Sequence, residues 1–291
     1  MKKFNLIVLI ISIAFFQSLA AFETKNTTFA VWNNSDVELF YTLPEEINNE
    51  TQVLFIIHGG ARNPEKYLDI WKEFTKHKNI ILVAPEFKRA DYEDYEYLNI
   101  SDDYGVLNKN LNEHLHNSLA IFFSFFKSKY NLEIDTYKLY GHSGGAQFAH
   151  RLLLFSDYDN VSSAVIANAG SYTFLNNENY PYGLKESNHL SDKKIKRYLS
   201  QRVTFLIGNQ DIKKFESSKK NNIQGKAMQG NNRFEGGINY FNNLITVSEK
   251  QKIPLRWKFQ IAKGVGHDNE KMSLLASEIL LKDVKASKIN Y

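Results

Sequence analysis

Residues 138–147 read KLYGHSGGAQ, a short apolar stretch, then a serine flanked by Gly141, Gly144 and Gly145, then the start of a helical pattern. Glycine weakens both strands and helices, so three of them at a strand-to-helix junction need a steric reason. The spacing G-x-S-x-G supplies one. A sharp turn holds Ser143 in a strained backbone conformation with its hydroxyl exposed, and any side chain larger than hydrogen at 141 or 145 would meet the adjoining strand and helix. Gly144 adds relief.

Outward from this turn, apolar runs of strand length alternate with helical patterns. TFAVW (28–32) and VELFYTL (37–43) read as an opening hairpin turned by residues 33–36. VLFIIHGG (53–60) and IILVAPEF (80–87) are apolar on both faces, as strands buried in a parallel sheet are. Between them, Asn63 and Pro64 introduce a helix over YLDIWKEFTKH (67–77). LNEHLHNSLAIFFSFFKSKY (111–130) reads as one long helix whose FFSFF cluster packs into a core. KLYG (138–141) is a strand, 144–156 a helix, 162–170 a strand. Strand candidates at 203–211 and 255–268 and a helix at 269–283 close the chain. Strand, helix, strand, helix predicts one doubly wound, mostly parallel sheet with helices on both faces. Residues 171–201 and 212–235 read as irregular insertions carried above it.

Composition limits the function. The 291 residues are 43% hydrophobic, enough for a sizeable core, and contain no cysteine. Residues 1–20, MKKFNLIVLIISIAFFQSLA, combine Lys2 and Lys3, an apolar run from Phe4 to Phe16 and a small-residue cleavage site, the pattern of a bacterial secretory signal peptide. The apolar run is too short to span a bilayer of roughly 30 Å, so no stable membrane anchor is expected after cleavage. Its removal takes the formal charge from +4 to +2, with 34 basic residues against 32 acidic. That balance excludes a nucleic-acid-binding reading, which needs a clustered basic face. The lysine-rich pieces SDKKIK (191–196) and SSKKNN (217–222) read as solvated loops.

Ligands of such sheets bind beyond the carboxyl ends of the strands, where the unusual polar residues of this chain fall. Ser143 as nucleophile needs a base. Of eight histidines, His267 in the glycine-rich turn GVGHD has the loop freedom and location for that task. His58 shapes the HGG loop, and His142 neighbours the serine but points away from it. His77, His150 and His189 fall on helices or polar loops. His114 and His116 would not share a helix face for metal binding. Asp211, ending LIGNQD, is the expected orienter of His267, ahead of Asp157 and Asp159, read as a cap and a turn, and Asp268, read as the cap of the last helix. The backbone N–H of Gly144 and that of Gly60, or alternatively Ala61, are the expected oxyanion donors.

HGG, YGHSGGAQFAHRLL, LIGNQD, KAMQGNNRFEGGINYF and GVGHD together resemble the α/β-hydrolase superfamily, and within it the secreted esterases grouped with poly(3-hydroxybutyrate) depolymerases and feruloyl esterases. The resemblance implies a catalytic domain over 21–291 that hydrolyses small or polymeric carboxylic esters through an acyl-enzyme, with no metal and no organic cofactor. Unlike the polymer depolymerases, this chain has no cysteine pair and no appended substrate-binding domain. A peptidase of the same fold, or an inactive hydrolase scaffold used for binding, are the alternatives. No role follows from the sequence for QGNNRFEGG (229–237) beyond a loop near Asp211. DYEDYEYLNISDDYG (91–105) reads as a solvated loop with tyrosines on the rim.

Overall fold

A computed structural model describes residues 23–187, 189–213 and 228–287. The expected signal peptide and SSKKNN (217–222) lie outside the described residues.

Eight strands form one sheet in the order β1-β2-β4-β3-β5-β6-β7-β8. They are β1 (Lys25–Phe29), β2 (Val37–Thr42), β3 (Gln52–Ile57), β4 (Ile80–Glu86), β5 (Tyr137–His142), β6 (Val161–Ala167), β7 (Val203–Gly208) and β8 (Lys258–Ala262). The pairs β1–β2 and β2–β4 are antiparallel, and the remaining pairs are parallel. Alternation along β3 shows why its sequence is apolar throughout. Val53, Phe55 and Ile57 enter one core and Leu54 and Ile56 the other, so neither face meets water.

Helices cover both faces. Helix α1 (Pro64–Thr75) buries Tyr67, Leu68 and Trp71, and α6 (Asn269–Leu280) buries Met272, Ala276 and Leu280, in the same core. On the opposite face lie α2 (Ser118–Tyr130), α3 (Gly144–Phe155), α4 (Asp192–Ser200) and α5 (Arg233–Gln251), joined by one larger core. Phe122, Phe123 and Phe126 of α2 pack there, as a helix lying on a sheet requires.

Four expectations need correction. Residues 111–117 form two 3-10 turns, Leu111–Glu113 and Leu115–Asn117, and the α-helix begins only at Ser118. The helix-face argument that separated His114 from His116 therefore does not apply, and their rings lie 6.4 Å apart. SDKKIK is the start of helix α4, capped by the Ser191 side chain on the Lys194 N–H, with Ile195, Tyr198 and Leu199 buried beneath its lysines. Within 229–237, Asn232 caps helix α5 by accepting from the Glu235 N–H, so the segment is a helix start as well as a loop. In the 91–105 loop, Tyr92 and Tyr95 are fully buried, whereas Tyr104 is exposed. The loop is a wall of the core rather than a solvated rim.

Strands β3 and β5 are neighbours, but the chain leaves them in opposite directions across the sheet, β3 toward β4 and β5 toward β6. This reversal leaves a crevice at their carboxyl ends. Gly59, Gly60 and Ser143 stand there.

Candidate active site

Ser143 has φ 57° and ψ −121°, a backbone conformation that costs a non-glycine residue about 1–3 kcal/mol and is kept only where its surroundings enforce it. The enforcement comes from two close approaches. A Cβ on Gly145 would stand 2.0 Å from the Ile57 carbonyl oxygen of β3, and one on Gly141 2.3 Å from the Gly145 carbonyl oxygen. Strand β3, the end of β5 and the first turn of α3 therefore touch backbone to backbone. At Gly144 the neighbour is a side chain, since a Cβ there would lie 2.7 Å from both Glu96 Oε1 and the Tyr95 hydroxyl. The same Glu96 oxygen is 3.6 Å from where a Cβ on Gly60 would be, so Gly60 and Gly144 border one carboxylate.

The structure brings Ser143, His267 and Asp211 together from three strand ends. His267 Nε2 is 2.9 Å from Ser143 Oγ, and its Nδ1 is 2.6 Å from Asp211 Oδ2. An ionised carboxylate only accepts, so Nδ1 carries the proton, Nε2 offers a lone pair and the serine hydroxyl donates to it. Asp211 is 2% exposed, while about a third of the His267 side chain faces solvent. Asp157 lies elsewhere, paired with Lys194, and Asp268 accepts from the Glu270 and Lys271 N–H groups as the cap of α6.

Several neighbours carry no signal in the sequence. Arg233, in the QGNNRFEGG segment, places Nη1 3.3 Å from Asp211 Oδ1, the oxygen that His267 leaves free. His142 lies against the His267 ring, with centroids 4.7 Å apart. Burial, with His267 and Arg233 close by, pushes the His142 pKa far down, so this imidazole stays neutral. Tyr67 accepts from the Gly59 N–H at 3.1 Å and reaches His142 Nδ1 at 3.3 Å, tying the β3 loop to the serine turn. His58 accepts from the Phe87 N–H through Nε2, which leaves the proton on Nδ1 facing the Gly59 carbonyl. Its role is to shape the loop.

Asn168, in a left-handed conformation just past β6, ties two of the strand ends together. Its Oδ1 accepts from the Gly208 N–H at the end of β7, and its Nδ2 donates to the Gly266 carbonyl beside His267. Asn209 adds a second hold by accepting from the Gly264 N–H. Farther along α3, buried Arg151 donates to Thr173 Oγ1, to Ser171 Oγ and to the carbonyls of Glu96, Gln147 and Pro181. One guanidinium thus joins the 91–105 loop to the 171–191 insertion. The Tyr180 hydroxyl, donating to the Tyr97 carbonyl, makes a second such link.

No family model and no curated protein matches this sequence. Solved structures do. Poly(aspartic acid) hydrolase-1 from Sphingomonas sp. KT-1 is 28% identical with a TM-score of 0.79, over 88% of this chain and 98% of that one. The poly(3-hydroxybutyrate) depolymerase LpqC of Bordetella parapertussis is 21% identical with a TM-score of 0.78, over 93% and 94%. The siderophore hydrolase EstB of Aspergillus nidulans, 13% identical with a TM-score of 0.56 over 92% and 97%, shares the fold. With the serine turn at the reversal of strand order and these likenesses extending over nearly the whole described chain, the protein belongs to the α/β-hydrolase superfamily and is a hydrolase.

Proposed function

We propose that this protein is an exported hydrolase of carboxylic esters that works through a Ser143-His267-Asp211 triad. The observation that carries the reading is the unbroken hydrogen-bonded line from Ser143 Oγ through both ring nitrogens of His267 to the buried carboxylate of Asp211. As Ser143 attacks the ester carbonyl, His267 Nε2 takes its proton, and Asp211 stabilises the imidazolium through Nδ1. The N–H groups of Gly144 and Gly60 receive the developing oxyanion. His267 then protonates the departing alcohol, and a water activated by the same nitrogen releases the acid and restores the serine. Arg233 holds Asp211 at its second oxygen, which keeps the carboxylate aimed at His267. Export is supported by the basic and apolar sequence of residues 1–20, and no described helix is long and apolar enough to cross a membrane.

A second reading, amide hydrolysis, is favoured by the likeness to a poly(aspartic acid) hydrolase, since the same triad cleaves amides. The rim carries both signs of charge, with Arg89 donating to the Gly60 carbonyl at 3.2 Å and the Arg62 guanidinium 4.2 Å from the centre of the Tyr95 ring. Glu96 stands beside Gly60 and Gly144, and Asp91, Glu93 and Asp94 precede it in the same loop.

The test is labelling by a fluorophosphonate probe together with hydrolysis of short p-nitrophenyl, feruloyl and hydroxybutyryl esters, run beside poly(aspartic acid). Labelling and ester turnover are expected in the wild type, with turnover lower by roughly four to six orders of magnitude in Ser143→Ala. An unlabelled wild type overturns the triad, and cleavage of the polyamide without cleavage of esters selects the second reading. Sequencing of the secreted chain should find Ala21 at its N-terminus.

A further inference from the structure

Away from the serine, the near neighbours His114 and His116 converge with His189, 75 positions beyond His114. One ring nitrogen from each of His114, His116 and His189 lies within 4.8 Å of the other two. His114 Nδ1 is 2.6 Å from His189 Nε2. The outer nitrogens are fixed by acceptors. His114 Nε2 is 2.8 Å from the Asn108 carbonyl oxygen, and His116 Nε2 is 3.3 Å from Asp157 Oδ2. A carbonyl and a carboxylate only accept, so each of those outer nitrogens carries its ring's proton and both Nδ1 atoms present lone pairs, the one on His114 accepting from His189 Nε2 in the metal-free arrangement. Among the described residues the Nδ1 of His116 has no hydrogen-bond partner, and it is buried on a residue only 8% exposed. An orphaned buried acceptor destabilises the fold unless something fills the role.

We propose that His114, His116 and His189 form a three-imidazole site for a divalent cation of the zinc class, with water in the fourth position. Tetrahedral zinc binds imidazole nitrogen at about 2.0–2.1 Å, which spaces its ligands about 3.3 Å apart. The separations here, from 2.6 Å to a limit of 4.8 Å, bracket that value. An all-imidazole donor set suits zinc, copper, nickel or cobalt and does not suit calcium or magnesium, which want oxygen. The acceptors behind the rings complete the arrangement, because metal-bound histidines habitually donate their other N–H to a carbonyl or carboxylate. Asp157 is itself anchored by Lys194 at 2.7 Å and by Asn117 at 2.8 Å. Burial also keeps the rings neutral, the form that ligates, with His116 and His189 pushed down to about 4. The ion joins the turns before α2 to the loop that leads into α4, and Asp157, just past α3, backs it. In a chain without cysteine it serves as the cross-link of the insertion layer.

The mature chain, stripped with EDTA and titrated with Co²⁺, tests this. One equivalent should bind with the intense visible band of a tetrahedral site, Zn²⁺ should displace it, and Zn²⁺ should raise the melting midpoint by several degrees. His189→Asn should abolish the band, and His267→Ala should keep it. Asp157→Asn should weaken binding about 10- to 100-fold. The proposal is overturned by a wild type without a saturable band, by a band that survives in His189→Asn, or by one that disappears in His267→Ala and so belongs to the serine site. If His189→Asn does not fold, Asp157→Asn carries the test, and unchanged affinity there overturns the proposal.

Discussion

The serine turn and the layer of insertions above it are held together by different physics. At the turn, β3, β5 and α3 meet backbone against backbone, with Gly141 and Gly145 as the contacts and no room for adjustment. In the insertion layer, side chains reach across to main-chain carbonyls. Arg151 bridges Glu96 and Pro181, Arg62 donates to the carbonyls of Phe87, Tyr92 and Glu93, and Tyr95 donates to that of His58. A turn made of backbone contacts has one allowed geometry, while a layer made of side-chain bridges can be retuned one bond at a time.

Substitutions separate the two. Gly145→Ala drives a Cβ into the β3 carbonyl, where neither partner can yield, and should cost more than about 4 kcal/mol, read by urea unfolding or as loss of soluble protein. A tolerated alanine there would break the comparison. Arg151→Met keeps the volume but strands several buried acceptors, and should cost roughly 3 kcal/mol. The fluorophosphonate reactivity of Ser143 should persist in the folded fraction if the two regions are independent. The smallest effect concerns Asp94, whose carboxyl is pushed up to about 6 by burial, with Asp102, Glu93, Asp103 and Glu96 adding to it. The folded state therefore holds this proton more tightly than the unfolded chain does. The stability that this provides is present below about pH 4 and is lost as pH rises through about 6. Asp94→Asn should accordingly raise the melting midpoint at pH 7 and leave it nearly unchanged at pH 4.

The same division explains what could be read from the sequence. Buried strands such as VLFII and IILVA announce themselves because a parallel sheet buries both faces, and the serine turn because its glycines answer a local collision. Ser143, Asp211 and His267 were nameable from their places after strands, since the ends of parallel strands share one edge of the sheet. The insertion layer carries no such period. Helix α4 hides behind the lysines of SDKKIK, because its apolar residues Ile195, Tyr198 and Leu199 come mostly after them. His114 and His189 meet 75 positions apart, and Arg233 meets Asp211 across 22, so only tertiary packing pairs them. Spacing on an assumed helix misled the reading of His114 and His116, because that helix starts later than its apolar pattern suggests.

Asn168 has a consequence for how this protein ages under heat. Ser143 leaves a strand at the centre of the sheet, whereas the loop bearing His267 follows edge strand β8, much of which faces solvent, and depends on the amides of Asn168 and Asn209 for its position. Edge loops open at lower free energy than central strands. On the proposed triad, inactivation is therefore expected as a separate and earlier event than melting. A preparation that still scatters light, fluoresces and sediments as native protein can already have lost its catalyst, and protection by a bound acyl analogue should postpone the first event more than the second.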